Sequence, residues 1–238
     1  MIKCSSLVKY YRSSIGLDKL DLEIDSGEIV GIFGVNGAGK STLLKLIAGL
    51  ILPTEGSIDI DGKKPSAVPE RIAYITEAGS YFSSLDAAGH AEFMQRFYPR
   101  FNVGRYKKLI DFFGIPTDKK VRAMSKGQTA KLETAIGFSR GADILLLDEP
   151  FLGTDIVAKS DFLKSAAMLL DGETLLIATH DIDEVSNFID RAVIIEHGKL
   201  AADRSVDDIR ESKMTLKEFV AHTAQKDRQQ NCDLDFSD

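Results

Sequence analysis

The sequence predicts an α/β fold in which a mainly parallel sheet is covered by helices and interrupted by an inserted helical lobe. Three observations carry this. Short apolar runs at Ile29–Phe33, Ile144–Leu147, Thr174–Ala178 and Ala192–Ile195 have the texture of strands buried on both faces. Stretches with helical spacing separate the later runs, and strands alternating with helices imply a parallel sheet covered on both sides. From about Ala78 to Arg140 the texture changes. Ten of the nineteen aromatic residues fall there, among them Tyr81, Phe82, Phe93, Phe97 and Phe101, and the apolar spacing turns mostly helical.

In chain order, strands dominate the first sixty residues. Lys19–Ile24 alternates Leu20, Leu22 and Ile24 with Asp21 and Glu23, as a half-buried strand should. Ile29–Phe33 ends in a glycine-rich loop, and Ser41–Leu50 follows with apolar residues at 43, 44, 46, 47 and 50, which predicts a helix. Turn signals at Pro53–Gly56 and Asp61–Gly62 bracket a short strand at Ser57–Ile60. After the lobe the buried strands return, and His197-Gly198 reads as a hairpin turn into Lys199–Ala202. The last fifteen or so residues are polar and are expected to fray.

Composition narrows the function classes. The 238 residues are 44% hydrophobic and 28% charged, with 36 acidic against 30 basic side chains. Such a chain can bury a sizeable core. Its acidity offers no general attraction to nucleic acid or anionic lipid. The greasiest stretch, Leu43–Leu52, is broken by Lys45 and falls well short of the roughly 18 to 20 apolar residues a spanning helix needs. The N-terminus carries no secretory h-region, so the expected address is cytoplasmic. Cys4 and Cys232, at opposite ends, read as two reduced thiols.

Chemistry enters at Gly34-Val35-Asn36-Gly37-Ala38-Gly39-Lys40-Ser41, a complete GxxxxGK[ST] between a buried strand and a helix. Glycines let the backbone curl so that successive N–H groups face phosphate oxygens, and the helix adds its positive N-terminal end. Lys40 reaches the β- and γ-phosphates, and the Ser41 hydroxyl is placed for Mg²⁺. This loop binds a nucleoside triphosphate. A second motif, Ile144–Leu147 followed by Asp148-Glu149, delivers two carboxylates to the C-terminal edge of the sheet, where ligands of open α/β sheets sit. Asp148 suits Mg²⁺, directly or through water, and Glu149 can orient or deprotonate an attacking water.

With these motifs in place, Met124-Ser125-Lys126-Gly127-Gln128, about twenty residues before the carboxylates, resembles the LSGGQ signature of ABC transporter ATP-binding subunits. The resemblance runs from Lys3 to about Asp203. It implies a P-loop NTPase fold with an N-terminal antiparallel β subdomain, a nucleotide-binding core at 1–77 and 141–204, a helical lobe at 78–140, and a C-terminal helical extension and tail at 205–238. It implies ATP and Mg²⁺ as ligands, with Gly34, Asn36, Gly37, Ala38, Gly39, Lys40, Ser41 and Thr42 around the phosphates. Ser41, Glu77 and Asp148 would lie at the metal, and Glu149 and His180 at the chemistry. His180, in Ala178-Thr179-His180-Asp181, resembles the family's switch histidine. Asp155 stands where the family has its D-loop aspartate, and Glu77 stands in place of the Q-loop glutamine. Tyr11, 23 residues before Gly34, has the spacing of the aromatic that stacks on adenine; adjacent Tyr10 is the alternative.

The family's signature serves another copy's nucleotide. Ser125 and Gly127 of one chain would cap the γ-phosphate held by its partner in a head-to-tail dimer, as a homodimer or a heterodimer. The resemblance also implies a separate polytopic membrane subunit and a location on the cytoplasmic face of the membrane, with no nucleic-acid partner. Three residues depart from the pattern: Glu77 for Gln, Lys126 for the first signature glycine, and Thr154 for the D-loop leucine. The first two recur among exporters of small or lipid-like compounds. The length is expected to exclude a tandem pair of such domains, which argues against a soluble ATPase acting on nucleic acid or the ribosome. Glu149 and His180 argue against a module that holds ATP without turnover. His90, His197 and His222 have no metal-ligand spacing.

Overall fold

The computed structural model describes residues 1–76, 79, 81–150 and 170–235. Two sheets organise it. The smaller is antiparallel, with order β2-β1-β4, formed by β1 (Ile2–Tyr11), β2 (Ser14–Ile24) and β4 (Glu55–Ile60). The larger runs β5-β6-β7-β3-β8-β9, from β3 (Ile29–Phe33), β5 (Ile72–Thr76), β6 (Ile144–Asp148), β7 (Thr174–Ala178), β8 (Arg191–Glu196) and β9 (Lys199–Ser205). Its strands are parallel except for the β8–β9 hairpin, which turns at His197-Gly198. The antiparallel subdomain, the mainly parallel sheet and the helices agree with the expected fold class.

Each central strand is apolar on both faces because each face has its own core. Phe33, Ile75, Leu145, Leu147, Leu175, Ile177 and Ile194 face one cluster; Val30, Ile32, Leu146, Leu176, Val193 and Ile195 face the other. On the second face α1 (Lys40–Ile47) and the three-stranded sheet pack together. The first face receives α2 (Ala87–Phe97), α3 (Val103–Phe113) and α4 (Lys126–Ser139). Phe101, Tyr106, Leu109, Leu132 and Phe138 join one continuous cluster with that face, so the lobe and the sheet share a core. Gly137 allows the closest approach: a Cβ there would lie 2.3 Å from Ile75 Cδ1. The chain then adds α5 (Ile182–Val185), α6 (Val206–Glu211) and α7 (Leu216–Asp235).

Two boundaries differ from the sequence reading. Helix α1 stops at Ile47, not Leu50, because Gly49 at φ +69° closes it: Leu50 N–H donates to Lys45 O and Gly49 N–H to Leu46 O. At the C-terminus, α7 continues to Asp235 through the stretch expected to fray. Leu216, Phe219 and Val220 anchor its start against the core.

The far, N-terminal end of the large sheet is closed by charge pairs. Asp143, just before β6, accepts from Arg71 Nε at 2.6 Å and Arg100 Nη2 at 2.5 Å, and Arg71 also bonds Asp61. The two guanidiniums hold the Asp143 carboxyl below the usual carboxylate range against the opposing effect of burial. Cys4 is buried, and desolvation pushes its thiol up to about 12, which leaves it unreactive.

Candidate functional site

The loop after β3 curls as its glycines allow. Gly34, Gly37 and Gly39 sit at φ +149°, +84° and +116°. Gly34 and Gly39 are required sterically as well: a Cβ on Gly34 would lie 2.2 Å from Ile195 O, and one on Gly39 2.4 Å from Gly16 O. At Gly37 the space is open. Ala38 N–H donates back to Val35 O, and Gly198 N–H donates to Ala38 O, tying the loop to the β8–β9 turn. Asn36 lies in the exposed bend of the loop. Gly39 is the N-cap of α1 and offers no side chain to its first N–H groups, so that helix end is free to meet an anion.

Lys40 is 5% exposed, and its ammonium donates to Gly34 O at 2.8 Å and Val35 O at 3.3 Å. Burial pulls its pKa below the usual lysine value, with the charges of Glu149 and Asp148 acting the other way. Next to it, Ser41 Oγ donates to Asp148 Oδ1 at 2.8 Å, and Tyr74 OH donates to Asp148 Oδ2 at 2.6 Å. Glu149 leaves the strand at φ +50°, its N–H bonded to Ala178 O on β7. That turn carries its carboxylate to Lys40 Nζ, 3.8 Å from Oε1, and to His180 Nδ1, 2.9 Å from Oε2. His180 follows β7, and the neighbouring Thr179 N–H donates to Ile32 O on β3. The ends of β3, β6 and β7, three adjacent strands, thus converge Lys40, Ser41, Asp148, Glu149 and His180.

At the rim, Tyr11 ends β1 half-exposed, its hydroxyl 3.4 Å from Thr42 Oγ1 at the start of α1. The side chain of Tyr10 is exposed, and its backbone N–H donates to Thr54 Oγ1. Ser125 and Gly127 stand at the start of α4, on a different element from the phosphate loop. Ser125 caps α4 reciprocally with Gln128, accepting from Gln128 N–H while Gln128 Oε1 accepts from Ser125 N–H. Nothing lies within 4 Å of a Cβ on Gly127, so that face of the helix start is open. Glu77, Thr154 and Asp155 lie outside the described residues.

Sequence reading missed Tyr74 here. Tyr74 bonds Asp148 from the neighbouring strand β5, and only strand register could have revealed the pair. His90, set aside for want of metal-ligand spacing, is 1% exposed and structural. Its Nε2 accepts from Phe82 N–H at 2.9 Å and its Nδ1 lies 2.8 Å from Asp86 O. A backbone N–H only donates, so the neutral ring carries its proton on Nδ1.

A family model described as "ABC transporter" matches residues 17–152, more than half of the chain and the whole span from the phosphate loop to Asp148-Glu149. The chain belongs to the ABC transporter family. Among the ABC relatives, the energy-coupling factor transporter ATP-binding protein EcfA2 of Thermotoga maritima is 34% identical over 197 residues, covering 79% of this chain and 74% of that one. The SkfA peptide export ATP-binding protein SkfE of Bacillus subtilis is 30% identical over 230 residues, covering 92% and 95%. A solved structure of the ATP-binding subunit of an ABC transporter superposes with a TM-score of 0.83 at 27% identity, covering 94% of this chain and 99% of the other. The chain is accordingly a transporter ATPase, built to bind and hydrolyse ATP. Among its described residues no helix is long and apolar enough to cross a membrane.

Proposed function

We propose that this chain powers an ATP-driven exporter as one of two head-to-tail ATPase subunits on the cytoplasmic face of a separate, polytopic membrane subunit. The observation that carries the reading is the convergence of Lys40, Ser41, Asp148, Glu149 and His180 at three neighbouring strand ends. In it, Lys40 exchanges its loop carbonyls for the β- and γ-phosphates. Glu149 polarises the attacking water, and His180 steadies the γ-phosphate. Tyr11 stacks on adenine. Ser125 and Gly127 cap the γ-phosphate of the partner copy, aided by the N-terminal end of α4. Asp155 completes the nucleotide-facing set.

The donor set fits Mg²⁺. Ser41 and Asp148 are hard oxygen ligands 2.8 Å apart, and Mg²⁺ takes one or two protein oxygens, its remaining positions going to phosphate and water. Bound there, with Glu77 near it, the metal would neutralise charge on the phosphate oxygens.

Export is the direction favoured by the acidic residue at 77 and by Lys126 in the signature, and a peptide-export relative matches over almost the full length of both chains. The membrane partner would dock on the aromatic edge of the lobe. Phe82 meets Phe93 edge-to-face with ring centroids 4.7 Å apart and Phe93 meets Phe97 at 4.6 Å, while Phe82 and Phe97 remain exposed. Tyr81, in contrast, packs against the core. Affinity purification from membranes tests the partner: a polytopic protein is expected with the native chain and is lost from the Phe82→Ala, Phe97→Ala double variant. ATP-driven accumulation of cargo inside inverted vesicles tests direction, and cargo depletion from their lumen would refute export.

A further inference from the structure

Asp148 has both carboxylate oxygens engaged, and the second donor is a residue that nothing in the phosphate loop requires. Tyr74 lies on β5, where it pairs with Leu146 on β6; Asp148 is two residues further along the same strand face. The Tyr74 side chain therefore reaches diagonally across the parallel pair, within the span of a long aromatic side chain. Its hydroxyl donates to Oδ2 at 2.6 Å, while Ser41 takes Oδ1 at 2.8 Å. A hydrogen bond from a neutral hydroxyl to an ionised carboxylate is short and strong, and this one is shielded by a partly buried ring. Phenylalanine would fill the same place on β5 with no polar group to satisfy.

We infer that Tyr74 is a positioning residue for the metal: it occupies Asp148 Oδ2 and fixes the plane of the carboxylate, so that Oδ1, on the Ser41 side, is the oxygen presented to Mg²⁺. This rests on the reading that Asp148 and Ser41 hold the metal. Partners that orient metal ligands typically contribute about 10- to 100-fold to metal affinity. In contrast, nucleotide binding without metal depends on the phosphate loop and Lys40, to which Tyr74 is linked only through Asp148 among the hydrogen bonds of the described residues.

Linkage provides a test independent of turnover. The factor by which Mg²⁺ tightens nucleotide binding to the protein equals the factor by which the protein tightens Mg²⁺ on the nucleotide. Titration calorimetry with the non-hydrolysable analogue AMP-PNP, in Mg²⁺ and in EDTA, gives that factor for the native chain, Tyr74→Phe and Asp148→Asn. Tyr74→Phe is expected to lower it about tenfold while the affinity in EDTA stays within about twofold. A purely packing role would weaken both affinities alike and leave the factor unchanged, which overturns the inference. If Asp148→Asn collapses the factor and Tyr74→Phe does not, only the role of Tyr74 fails. If neither changes it, the metal reading fails too, and the inference with it.

Discussion

His180 Nδ1 lies 2.9 Å from Glu149 Oε2, a bond in which only the ring nitrogen can donate. The other Glu149 oxygen faces Lys40 Nζ, so the carboxylate stands between a histidine and a lysine at the mouth of the phosphate loop. The side chain that is to polarise water and the one that is to steady the γ-phosphate are thus direct neighbours.

Removing the imidazole should therefore slow the chemistry and spare binding. His180→Ala is expected to lower kcat by about 10² to 10³, the usual cost of losing one preorganised donor, with ATP affinity within about threefold of native. Phosphate release at saturating ATP and a nucleotide titration measure the two separately. Equal losses in both would assign His180 to uniform binding.

Tyr11 and Tyr10 are adjacent in sequence but not equivalent in space. Tyr11 reaches toward Thr42 at the start of α1, and Tyr10 is tied by its backbone to Thr54. Tyr11→Ala should weaken ATP binding about tenfold, the scale of a lost base–aromatic stack, and Tyr10→Ala should leave it within about twofold. The reverse order would move the adenine site to Tyr10.

The loop glycines separate fold from function. Gly34→Ala drives a Cβ into the Ile195 carbonyl at a backbone angle that L residues rarely adopt, and should cost at least about 2 kcal/mol of stability. Gly37→Ala meets open space and pays only backbone strain, about 1 to 2 kcal/mol, so its larger effect should fall on nucleotide affinity. Chemical denaturation of both variants checks the ranking.

His90 makes stability depend on pH. Burial lowers its pKa below the ordinary 6.5, against opposing effects from the Asp86 carbonyl and carboxylate. The unfolded chain then binds the proton more readily than the folded one. This contribution is complete above about pH 6.5 and is lost as the pH falls toward the folded value. Denaturation midpoints between about pH 5 and 8 should therefore fall on acidification, and His90→Gln should flatten that slope. An unchanged slope would remove His90 as the cause.

Much of this was legible in sequence because central parallel strands announce themselves. Ile144–Leu147 and Thr174–Ala178 are apolar at successive positions since each face meets a core, and the phosphate loop declares its own geometry through Gly34, Gly37 and Gly39. The first strand was less visible. Ser6, at φ +44°, breaks the alternation of β1, and its pairing with β2 shifts register between Cys4 and Leu7. The contact of Tyr74 with Asp148 depends on β5 pairing with β6, and His90 answers a backbone N–H, a partner that residue types do not reveal. Local motifs encode the loop; the groups that brace it come from register and packing.

The central claim, that ATP is held between two copies and hydrolysed with Glu149, is tested most directly by the mass of Glu149→Gln in ATP. Light scattering coupled to size exclusion, with nucleotide content and phosphate release on the same sample, is expected to give a stable dimer retaining two ATP. Turnover should fall by at least about 10², as for loss of a general base. A variant that stays monomeric in ATP, or that hydrolyses it at the native rate, would contradict the account.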